Sequence, residues 1–466
     1  MKTTLHITFW IIVLLSSLVS NAQEFEGSWT GGIQGMPLVF EISNTDGVYT
    51  ANMQSPMQSK SFLPMDTTTV QGNKITLILN AYKIKYAGEL KGDKVMGTFT
   101  QGSFSGELNL EKKAYEEVKP NRPQEPKAPF PYKVEEVSFT NAKANNIKLA
   151  GTLTLPSEVK NPPVAILISG SGPQDRNEEI VGHKPFLVLA DYLTRNGIAV
   201  LRYDDRGVAQ SEGIHKDATS ADFATDVEAS VNYLNTRKDI NKKQIGLIGH
   251  SEGGLIAPIV IANNKKEVAF FVSLAGPGLR GDQVLLPQMR KGAELKGAPE
   301  KEVNFEINLM DQVFQKIIVS KNATNEDLQQ ELKIMMTAAA TKAPDALQAK
   351  YSESYITEVS KQFAGSWMRF FLTYDPATNL EKVSCPVLAI NGSLDYQVIP
   401  EINLSGMKSA FAKAGNKEVT LKTLPGLNHL FQNATTGSGL EYEQIEETFD
   451  PATLQLIASW IKERFN

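Results

Sequence analysis

The residues with the clearest chemical signature are Gly249-His250-Ser251-Glu252-Gly253, a G-x-S-x-G pattern. The segment in front, Gln244 to Ile248, is typical of a short buried strand, and Leu255-Ile256-Ala257 behind it opens a helix. A strand that turns into a helix within a few residues strains its middle residue and brings neighbouring backbones close, so glycine is needed two positions on either side. The pattern therefore predicts a nucleophile elbow with Ser251 Oγ exposed above a sheet.

A serine hydroxyl is a weak nucleophile until a base takes its proton, and His429 is the candidate base. In such elbows the partners follow in the chain order Ser, acid, His, and His429 alone of the histidines comes after Ser251 in the chain. The other histidines lie in the leader, before the nucleophile or inside the elbow: His6, His183, His215 and His250. His429 follows the strand-like segment 419–423, so a loop can carry it over the edge of the sheet.

The acid is expected on the strand before that one, and Asp395 is the candidate. It follows the strand-like Pro386 to Ile390, from which its carboxylate can accept the Nδ1 proton of His429 and stabilise the imidazolium. The competitor is Asp375 in Tyr374-Asp375-Pro376, which precedes the strand in a pair typical of turns.

Two backbone amides are predicted to hold the oxyanion. One is the amide of Glu252, directly after the nucleophile. The second is expected from the glycine-rich loop after the buried strand 164–168, with Ser171 N–H as first candidate and Gly172 as fallback. The charged segment 202–207, after another buried strand, is expected to brace loops under the site through arginine–carboxylate pairs rather than to do chemistry.

On these motifs the chain resembles an α/β-hydrolase of the EstD-type esterase group, within the serine aminopeptidase-like and dienelactone hydrolase-like branches. The motifs that carry the resemblance lie between residues 130 and 466: Gly170 to Pro173 with Asp175 to Asn177, Arg202 to Gly207, Gly249 to Gly254, Gly392 to Val398, and Asn428-His429. The resemblance implies carboxylic ester hydrolysis with a preference for short acyl groups. One departure is Ser169, where many relatives carry histidine in a His-Gly pair, which bears on how the oxyanion loop is braced.

Composition narrows the function classes. A length of 466 residues exceeds what one core usually contains, so a second domain is expected. With a net charge of −5, the chain lacks the excess of lysine and arginine that binds nucleic acid, so we exclude nucleic acid as a partner. Cys385 is the only cysteine, so no intrachain disulfide is possible, and no cysteine near the leader offers a lipid anchor. The chemistry requires no metal and no organic cofactor.

The first 22 residues are interpreted as a secretory signal peptide. Met1-Lys2 supplies a positive start, the apolar run from Phe9 to Val19 is short for a bilayer span, and Ser20-Asn21-Ala22 suits cleavage before Gln23. The alternative is an uncleaved membrane anchor. The expected location is therefore secreted or periplasmic, without a stable membrane anchor.

A small antiparallel β-barrel or sandwich is predicted for residues 24–111. Period-2 alternation marks strands there, and Asp46-Gly47, Gly72-Asn73 and Gly92-Asp93 supply turns at hairpin spacing. The segment contains no histidine, so it offers no triad. Two roles are open: a module for substrate, with Trp29 and tyrosines available to stack on carbohydrate, or a packing or dimerisation domain. Oligomerisation stays open.

The rest divides into a proline-rich linker, residues 112–133, and an α/β-hydrolase domain, residues 134–466, whose doubly wound sheet carries a helical cap at about 280–370. The overall prediction is a secreted serine esterase that forms an acyl-enzyme on a small ester, an acylated carbohydrate being one candidate. Two alternatives remain: a peptidase with the same triad, in which Glu252 binds a substrate ammonium, and an inactive binding protein with a hydrolase fold.

Overall fold

The computed structural model describes residues 25–465 except 34–35, 57–58, 60, 103, 117–120, 265, 321–322 and 349. The predicted signal peptide, residues 1–22, lies outside the described residues. The chain divides into two compact units, Met1–Lys119 and Pro120–Asn466, called here the N-terminal and C-terminal units.

In the described part of the N-terminal unit, nine strands form one antiparallel sheet in the order β4-β3-β2-β1-β9-β8-β7-β6-β5. Their bounds are β1 Gly27–Ile33, β2 Met36–Thr45, β3 Val48–Gln54, β4 Leu63–Pro64, β5 Thr67–Gln71, β6 Lys74–Leu79, β7 Ile84–Lys91, β8 Lys94–Gln101 and β9 Phe104–Lys112. The sheet curls until β3 contacts β5, which makes a half-barrel. The three predicted turn pairs join consecutive strands, and Asp46 and Gly47 both adopt the positive φ that such tight hairpins require.

The alternating residues of these strands bury one face of the sheet. Trp29 is 1% exposed and donates its indole N–H to the carbonyl of Phe25 at 2.6 Å, and Tyr86 is equally buried. The expectation that Trp29 is available to stack on a carbohydrate is therefore wrong, because a side chain buried in the core presents no face to a ligand.

In the C-terminal unit the described residues form an eight-stranded mixed sheet in the order β10-β11-β13-β12-β14-β15-β16-β17. The strands are β10 Lys133–Asn141, β11 Ile147–Leu155, β12 Val164–Ile168, β13 Ala199–Tyr203, β14 Ile245–His250, β15 Phe270–Leu274, β16 Val387–Gly392 and β17 Val419–Leu424. The strands from β13 to β17 along the sheet run parallel, whereas β10 and β11 are antiparallel to their neighbours.

Helices cover both faces of this sheet, which explains why its parallel strands are continuous apolar runs. The helices in the described residues are α1 Pro185–Arg195, α2 Ser220–Thr236, α3 Glu252–Asn263, α4 Gly281–Leu295, α5 Glu300–Val319, α6 Asn325–Ala340, α7 Asp345–Gln348, α8 Glu353–Ala364, α9 Ser366–Thr373, α10 Ala377–Leu380, α11 Pro400–Lys413 and α12 Pro451–Phe465. On one face α2, α3 and α11 pack against the sheet, and on the other α1 and α12. The predicted doubly wound α/β fold is confirmed.

Helices α4 to α9 form the predicted insertion between β15 and β16, and they have a hydrophobic core of their own. Met336, for example, is fully buried in that core. Trp367 and Phe371 stack on each other at 5.2 Å on α9.

The proline-rich segment predicted as a linker is largely part of the C-terminal unit. The guanidinium of Arg122 donates to the carbonyls of Ile445 at 2.8 Å and Val181 at 3.1 Å. Gln124 donates to the carbonyl of Phe449 at 2.6 Å. Residues 121–131 are therefore held by specific hydrogen bonds, which proline content alone does not reveal.

No helix within the described residues combines the length and the apolar character needed to cross a bilayer.

Candidate active site

The turn after β14 has the geometry of a nucleophile elbow. Ser251 has φ 50° and ψ −118°, an unfavourable backbone conformation for a non-glycine residue, and α3 begins at the next residue. A Cβ at Gly249 would lie 2.2 Å from the carbonyl oxygen of Gly253, and one at Gly253 would lie 2.1 Å from that of Ile168. The two glycines are therefore required by close backbone contacts around the strained serine.

The other two predicted triad residues follow neighbouring strands at the same edge of the sheet. Asp395 comes after β16 and His429 after β17, and His429 Nδ1 lies 2.8 Å from Asp395 Oδ2. Both side chains are buried. Asp395 Oδ1 accepts hydrogen bonds from the amides of Gln397 at 2.8 Å and Val398 at 2.9 Å, so its carboxylate is held in place from both oxygens.

The residue before Ser251, His250, contacts His429, and their ring centroids are 4.8 Å apart. The elbow and the loop that carries His429 are therefore neighbours. Within the described residues, Ser251 Oγ forms no hydrogen bond, to His429 or to any other group. Without substrate, catalytic hydrogen bonds are often long and shorten only when the substrate binds.

The competing acid Asp375 has a different role. It is exposed, and its Oδ1 accepts a hydrogen bond from the amide of Ala377 at 3.0 Å, the first residue of α10. Asp375 therefore forms a turn before a short helix, as its Asp-Pro context predicts.

The loop after β12 places its amides near the nucleophile. A Cβ at Gly170 would come within 3.2 Å of Ser251 Cβ, so the loop backbone packs closely against the elbow. The amide of Gly170 donates to Glu178 at 2.6 Å and is thus occupied. In the described residues, the amides of Ser171 and Glu252 donate to no protein acceptor, which leaves both available to an oxyanion. Gly172 adopts φ +95°.

Asp205 braces this loop. Its Oδ1 accepts from the hydroxyl of Ser169 at 2.8 Å and its Oδ2 from the amide of Gln174 at 3.0 Å. Burial raises the pKa of Asp205 to about 8, against the effect of these hydrogen bonds. The departure at Ser169 thus has a structural explanation, because its hydroxyl bonds a carboxylate that follows the neighbouring strand.

Arginine–carboxylate pairs hold the surrounding loops, as the sequence predicts. Arg206 Nε lies 2.7 Å from Asp226 Oδ2, and Arg176 Nη2 lies 2.7 Å from Asp204 Oδ2. None of these four side chains contacts Ser251 or His429 through a hydrogen bond recorded for the described residues, and we assign them no chemistry.

The side chain of Glu252 contacts the insertion, which sequence reasoning did not foresee. Its Oε1 accepts hydrogen bonds from Ser220 Oγ at 2.6 Å and from Trp367 Nε1, on α9, at 2.8 Å. Burial raises the pKa of Glu252 above the ordinary glutamate value, and the two hydrogen bonds only partly offset it. Glu252 therefore links the elbow to the helical insertion.

Glu178 is a second residue that sequence reasoning missed. It is buried beside the elbow, and its Oε1 lies 2.8 Å from His250 Nδ1. The available signal was its place directly after Asp175-Arg176-Asn177, but nothing in a single sequence marks which carboxylate of such a run turns inward.

Neither the metal-ligating residue types nor Cys385 form a further reactive site in the part of the chain that the structure describes. Across the described ranges, no group of three or more His, Cys, Asp or Glu side chains is arranged to hold a metal ion. Burial raises the pKa of the Cys385 thiol to about 12, which keeps it protonated and unreactive at neutral pH.

Comparison with known proteins finds a matching family model and a related esterase. A family model described as serine aminopeptidase, S33, matches residues 184–435, a stretch that contains Ser251, Asp395 and His429. The esterase EstD of Thermotoga maritima is 24% identical over 333 residues, which are 71% of this chain and 70% of that protein. These matches confirm the resemblance drawn from the motifs.

Two solved structures are also similar. The esterase Pf2001 of Pyrococcus furiosus is 16% identical with a TM-score of 0.41, covering 72% of this chain and 94% of that one. Est1E of Butyrivibrio proteoclasticus, solved with ferulic acid bound, is 19% identical with a TM-score of 0.40, covering 70% of this chain and 96% of that one.

Proposed function

The chain belongs to the serine aminopeptidase S33 family of α/β-hydrolases, and from this premise we propose that it is a carboxylic ester hydrolase that works through Ser251, His429 and Asp395. The observation that carries the proposal is the 2.8 Å contact between His429 Nδ1 and Asp395 Oδ2 at the sheet edge where the strained Ser251 stands. In such a triad the imidazole takes the proton of the serine hydroxyl, and the acid stabilises the imidazolium that forms.

The proposed reaction has two halves. Ser251 Oγ attacks the ester carbonyl carbon while His429 Nε2 takes the hydroxyl proton, and the amides of Glu252 and Ser171 bind the oxyanion, with Gly172 as the alternative donor. The tetrahedral intermediate collapses as His429 gives the proton to the leaving alkoxide, and an acyl-enzyme remains. His429 then takes a proton from water, whose oxygen attacks the acyl carbon. As the second tetrahedral intermediate collapses, His429 returns the proton to Ser251 Oγ and the carboxylic acid leaves. Asp395 holds the imidazolium in both halves.

The hydrogen bonds and the protonation of the Glu252 side chain favour ester hydrolysis over aminopeptidase activity. In the peptidase alternative, the carboxylate of Glu252 would bind a substrate ammonium. Instead its Oε1 accepts from Ser220 and Trp367, and burial favours its neutral form. A neutral, hydrogen-bonded acid attracts a cation weakly.

A small ester with a short acyl group is the substrate class that we propose. The esterase EstD, 24% identical to this chain, supports ester chemistry. An acylated carbohydrate remains a candidate substrate, although the buried Trp29 lends it no support.

We also propose that the leader directs export, so that the mature enzyme begins at Gln23 and is secreted or periplasmic. Sequencing the N-terminus of the mature protein from culture or periplasm tests this. A protein that retains Met1 in the membrane fraction would contradict it.

The test of function is a panel on the purified enzyme. Aryl esters of increasing acyl length, acetylated and feruloylated sugars, and aminoacyl arylamides are compared by kcat/KM, and a fluorophosphonate probe labels any activated serine. We expect highest turnover on short acyl esters, with labelling that Ser251→Ala abolishes. Turnover of arylamides alone would favour the peptidase, and no labelling would favour an inactive binding protein.

A further inference from the structure

A carboxylate and an imidazole are buried behind the nucleophile and take no part in the steps proposed above. Glu178 is 1% exposed, and its φ of 52° lies in the left-handed region, which strains a glutamate. Its Oε1 lies 2.8 Å from Nδ1 of the buried His250. Burial of ionisable groups and backbone strain both cost free energy, so a specific arrangement must compensate for them.

This pair is hydrogen-bonded at both ends to backbone that carries the proposed chemistry. Glu178 Oε1 also accepts from the amide of Gly170 at 2.6 Å, in the oxyanion loop. At the other end, His250 Nε2 lies 3.0 Å from the carbonyl oxygen of His429. One continuous set of hydrogen bonds therefore runs from the oxyanion loop, behind Ser251, to the residue proposed as the base.

The partners determine the protonation of His250. A carbonyl oxygen only accepts, so Nε2 must carry a proton. Nδ1 faces Oε1 of Glu178, so one proton lies between these two atoms. The negative charge and the hydrogen bond of Glu178 raise the pKa of His250, which favours that proton on Nδ1. A ring with two N–H groups is an imidazolium, paired here with a carboxylate. Burial by itself lowers the pKa of His250, but the charge and hydrogen bond of Glu178, the carbonyl of His429 and the charge of Asp395 together raise it.

We propose that Glu178 and His250 form an internal ion pair that positions His429 and the oxyanion loop relative to each other during acyl transfer. The inference rests on the proposed function, and it deepens it by naming two positioning residues. His250 is not a second base, because both of its ring nitrogens are already engaged. Charge-assisted hydrogen bonds are about twice as strong as neutral ones, which suits them to hold backbone in place.

The isosteric variant Glu178→Gln tests this because a neutral glutamine cannot replace both contacts of Oε1, to the Gly170 amide and to a charged His250. If the amide oxygen of the glutamine faces Gly170 and His250, the imidazolium loses its counter-charge in a buried site. If the amide nitrogen faces them, two donors meet at Gly170. The backbone of the loop or of His429 must shift, and a shift of about 1 Å in catalytic geometry costs about 10²-fold in rate.

Steady-state kinetics on a short-chain aryl ester provide the first measurement. We expect Glu178→Gln to lower kcat by about 10- to 100-fold with little change in KM, because positioning acts on the transition state. His250→Asn should lose a similar factor, and the double variant should be no worse than the single ones. Unchanged kcat in folded Glu178→Gln, or losses that multiply in the double variant, would overturn the proposal.

Glu228→Gln is the matched control. Glu228 is also a buried glutamate of the C-terminal unit, on α2, but it pairs with Lys143, Asn263 and Asn264 away from the elbow. We expect its kcat to match that of the wild-type enzyme. An equal loss of kcat in both variants would show a general effect of removing buried charge, and the positioning role would be wrong.

Nitrogen-15 NMR of histidine-labelled wild-type protein tests the ion pair without relying on activity or on variants. At pH 8, where ordinary histidines are neutral, we expect both ring nitrogens of His250 to carry protons. A ring with one unprotonated nitrogen would overturn the ion pair even in an active esterase. If no ester is hydrolysed but the doubly protonated ring is present, the proposed function fails while the ion pair stands.

Discussion

The two units of this chain differ in how many charged side chains they bury. In the N-terminal half-barrel, none of the described charged residues is buried, and the core is made of apolar and aromatic side chains such as Trp29 and Tyr86. The C-terminal unit buries many charged or ionisable side chains, which are Glu178, His183, Arg202, Asp204, Asp205, Arg206, Asp226, Glu228, His250, Glu252, Asp282, Asp395 and His429.

This difference indicates where chemistry is expected in the chain. A buried ionisable group costs free energy unless it is paired or hydrogen-bonded, so an apolar core is the cheaper way to stabilise a fold. Many of the buried groups of the C-terminal unit lie at or behind one sheet edge, around Ser251. Perturbed ionisable groups concentrated at one place are typical of a catalytic site. The comparison predicts that activity and pH response belong to the C-terminal unit.

The largest expected effect comes from the nucleophile and the base. Ser251→Ala or His429→Ala should each lower kcat by about 10⁴- to 10⁶-fold, because each removes a member of a unit that acts together. The double variant should lose little more. Burst and steady-state kinetics on an aryl ester measure this, and a single variant that retains wild-type kcat would place the chemistry elsewhere in the molecule.

The two candidate acids provide the next contrast. Asp395→Asn should lower kcat by about 10⁴-fold, because it leaves His429 without the acceptor that selects its tautomer. Asp375→Asn should leave kcat unchanged, since Asp375 is exposed and lies in the turn before α10. If Asp375→Asn lowers kcat more than Asp395→Asn does, the assignment of Asp395 as the triad acid is wrong.

Stability should depend on pH through Asp205. Its pKa is about 8 in the folded protein and near 3.8 ordinarily, so between these values the folded state holds a proton that the unfolded chain has lost. The wild-type free energy of unfolding therefore falls as pH rises through this window, whereas Asp205→Asn lacks this contribution. Between pH 5 and 8.5, the stability advantage of the wild type over the variant should shrink by about 2 to 4 kcal/mol.

Urea denaturation of both proteins at the two pH values measures that difference. Because the remaining titrating groups are common to both chains, they cancel in the comparison. A stability difference that stays constant, or that grows with pH, would mean that Asp205 is ionised in the folded protein.

A smaller effect is expected where the elbow meets the insertion. Trp367→Phe removes the indole N–H that Glu252 accepts, and it should lower the free energy of unfolding by about 1 to 3 kcal/mol. Trp460→Phe is the control, because the buried indole N–H of Trp460 has no hydrogen-bond partner in the described residues. It should cost less, and equal losses in the two variants would show that the Glu252 contact adds nothing.

The smallest effect should follow removal of the N-terminal unit. A protein that lacks residues 24–116 but keeps Arg122 and Gln124 should hydrolyse a small aryl ester with nearly unchanged kcat and KM, since the proposed catalytic residues all lie in the C-terminal unit. Loss of small-ester turnover in a truncated protein that still unfolds cooperatively would show that the half-barrel contributes to the site.

Much of this molecule can be predicted from local sequence. Strand β12 begins and ends at the predicted residues, and the other predicted strands of the C-terminal sheet differ at their ends by one or two positions. The elbow is equally predictable from sequence. Its glycines are required because a side chain there would clash with backbone a few residues away or with the adjacent loop. Hydrophobic periodicity, turn geometry and close backbone contacts each restrict which residue types can occupy a position, so they can be recognised in the sequence.

The linker and the buried aromatics were predicted less well. Proline density indicated an extended segment between 112 and 133, but the hydrogen bonds of Arg122 to carbonyls more than fifty residues away belong to the folded unit. For the N-terminal unit the sequence leaves a carbohydrate-stacking role for Trp29 open beside a packing role, and Trp29 fills the half-barrel core. In both cases the residue type allows either role, and long-range packing selects one.

Sequence alone determined the candidate nucleophile, base and acid, because chain order and strand-to-loop position restrict these roles to very few residues. Tertiary structure decided what surrounds them: that Glu178 turns inward to His250, that Asp205 braces Ser169, and that Trp367 bonds Glu252. These partners are 36 to 115 residues apart in the chain. A carboxylate acquires its function from the donors that folding places around it, and local sequence does not record those donors.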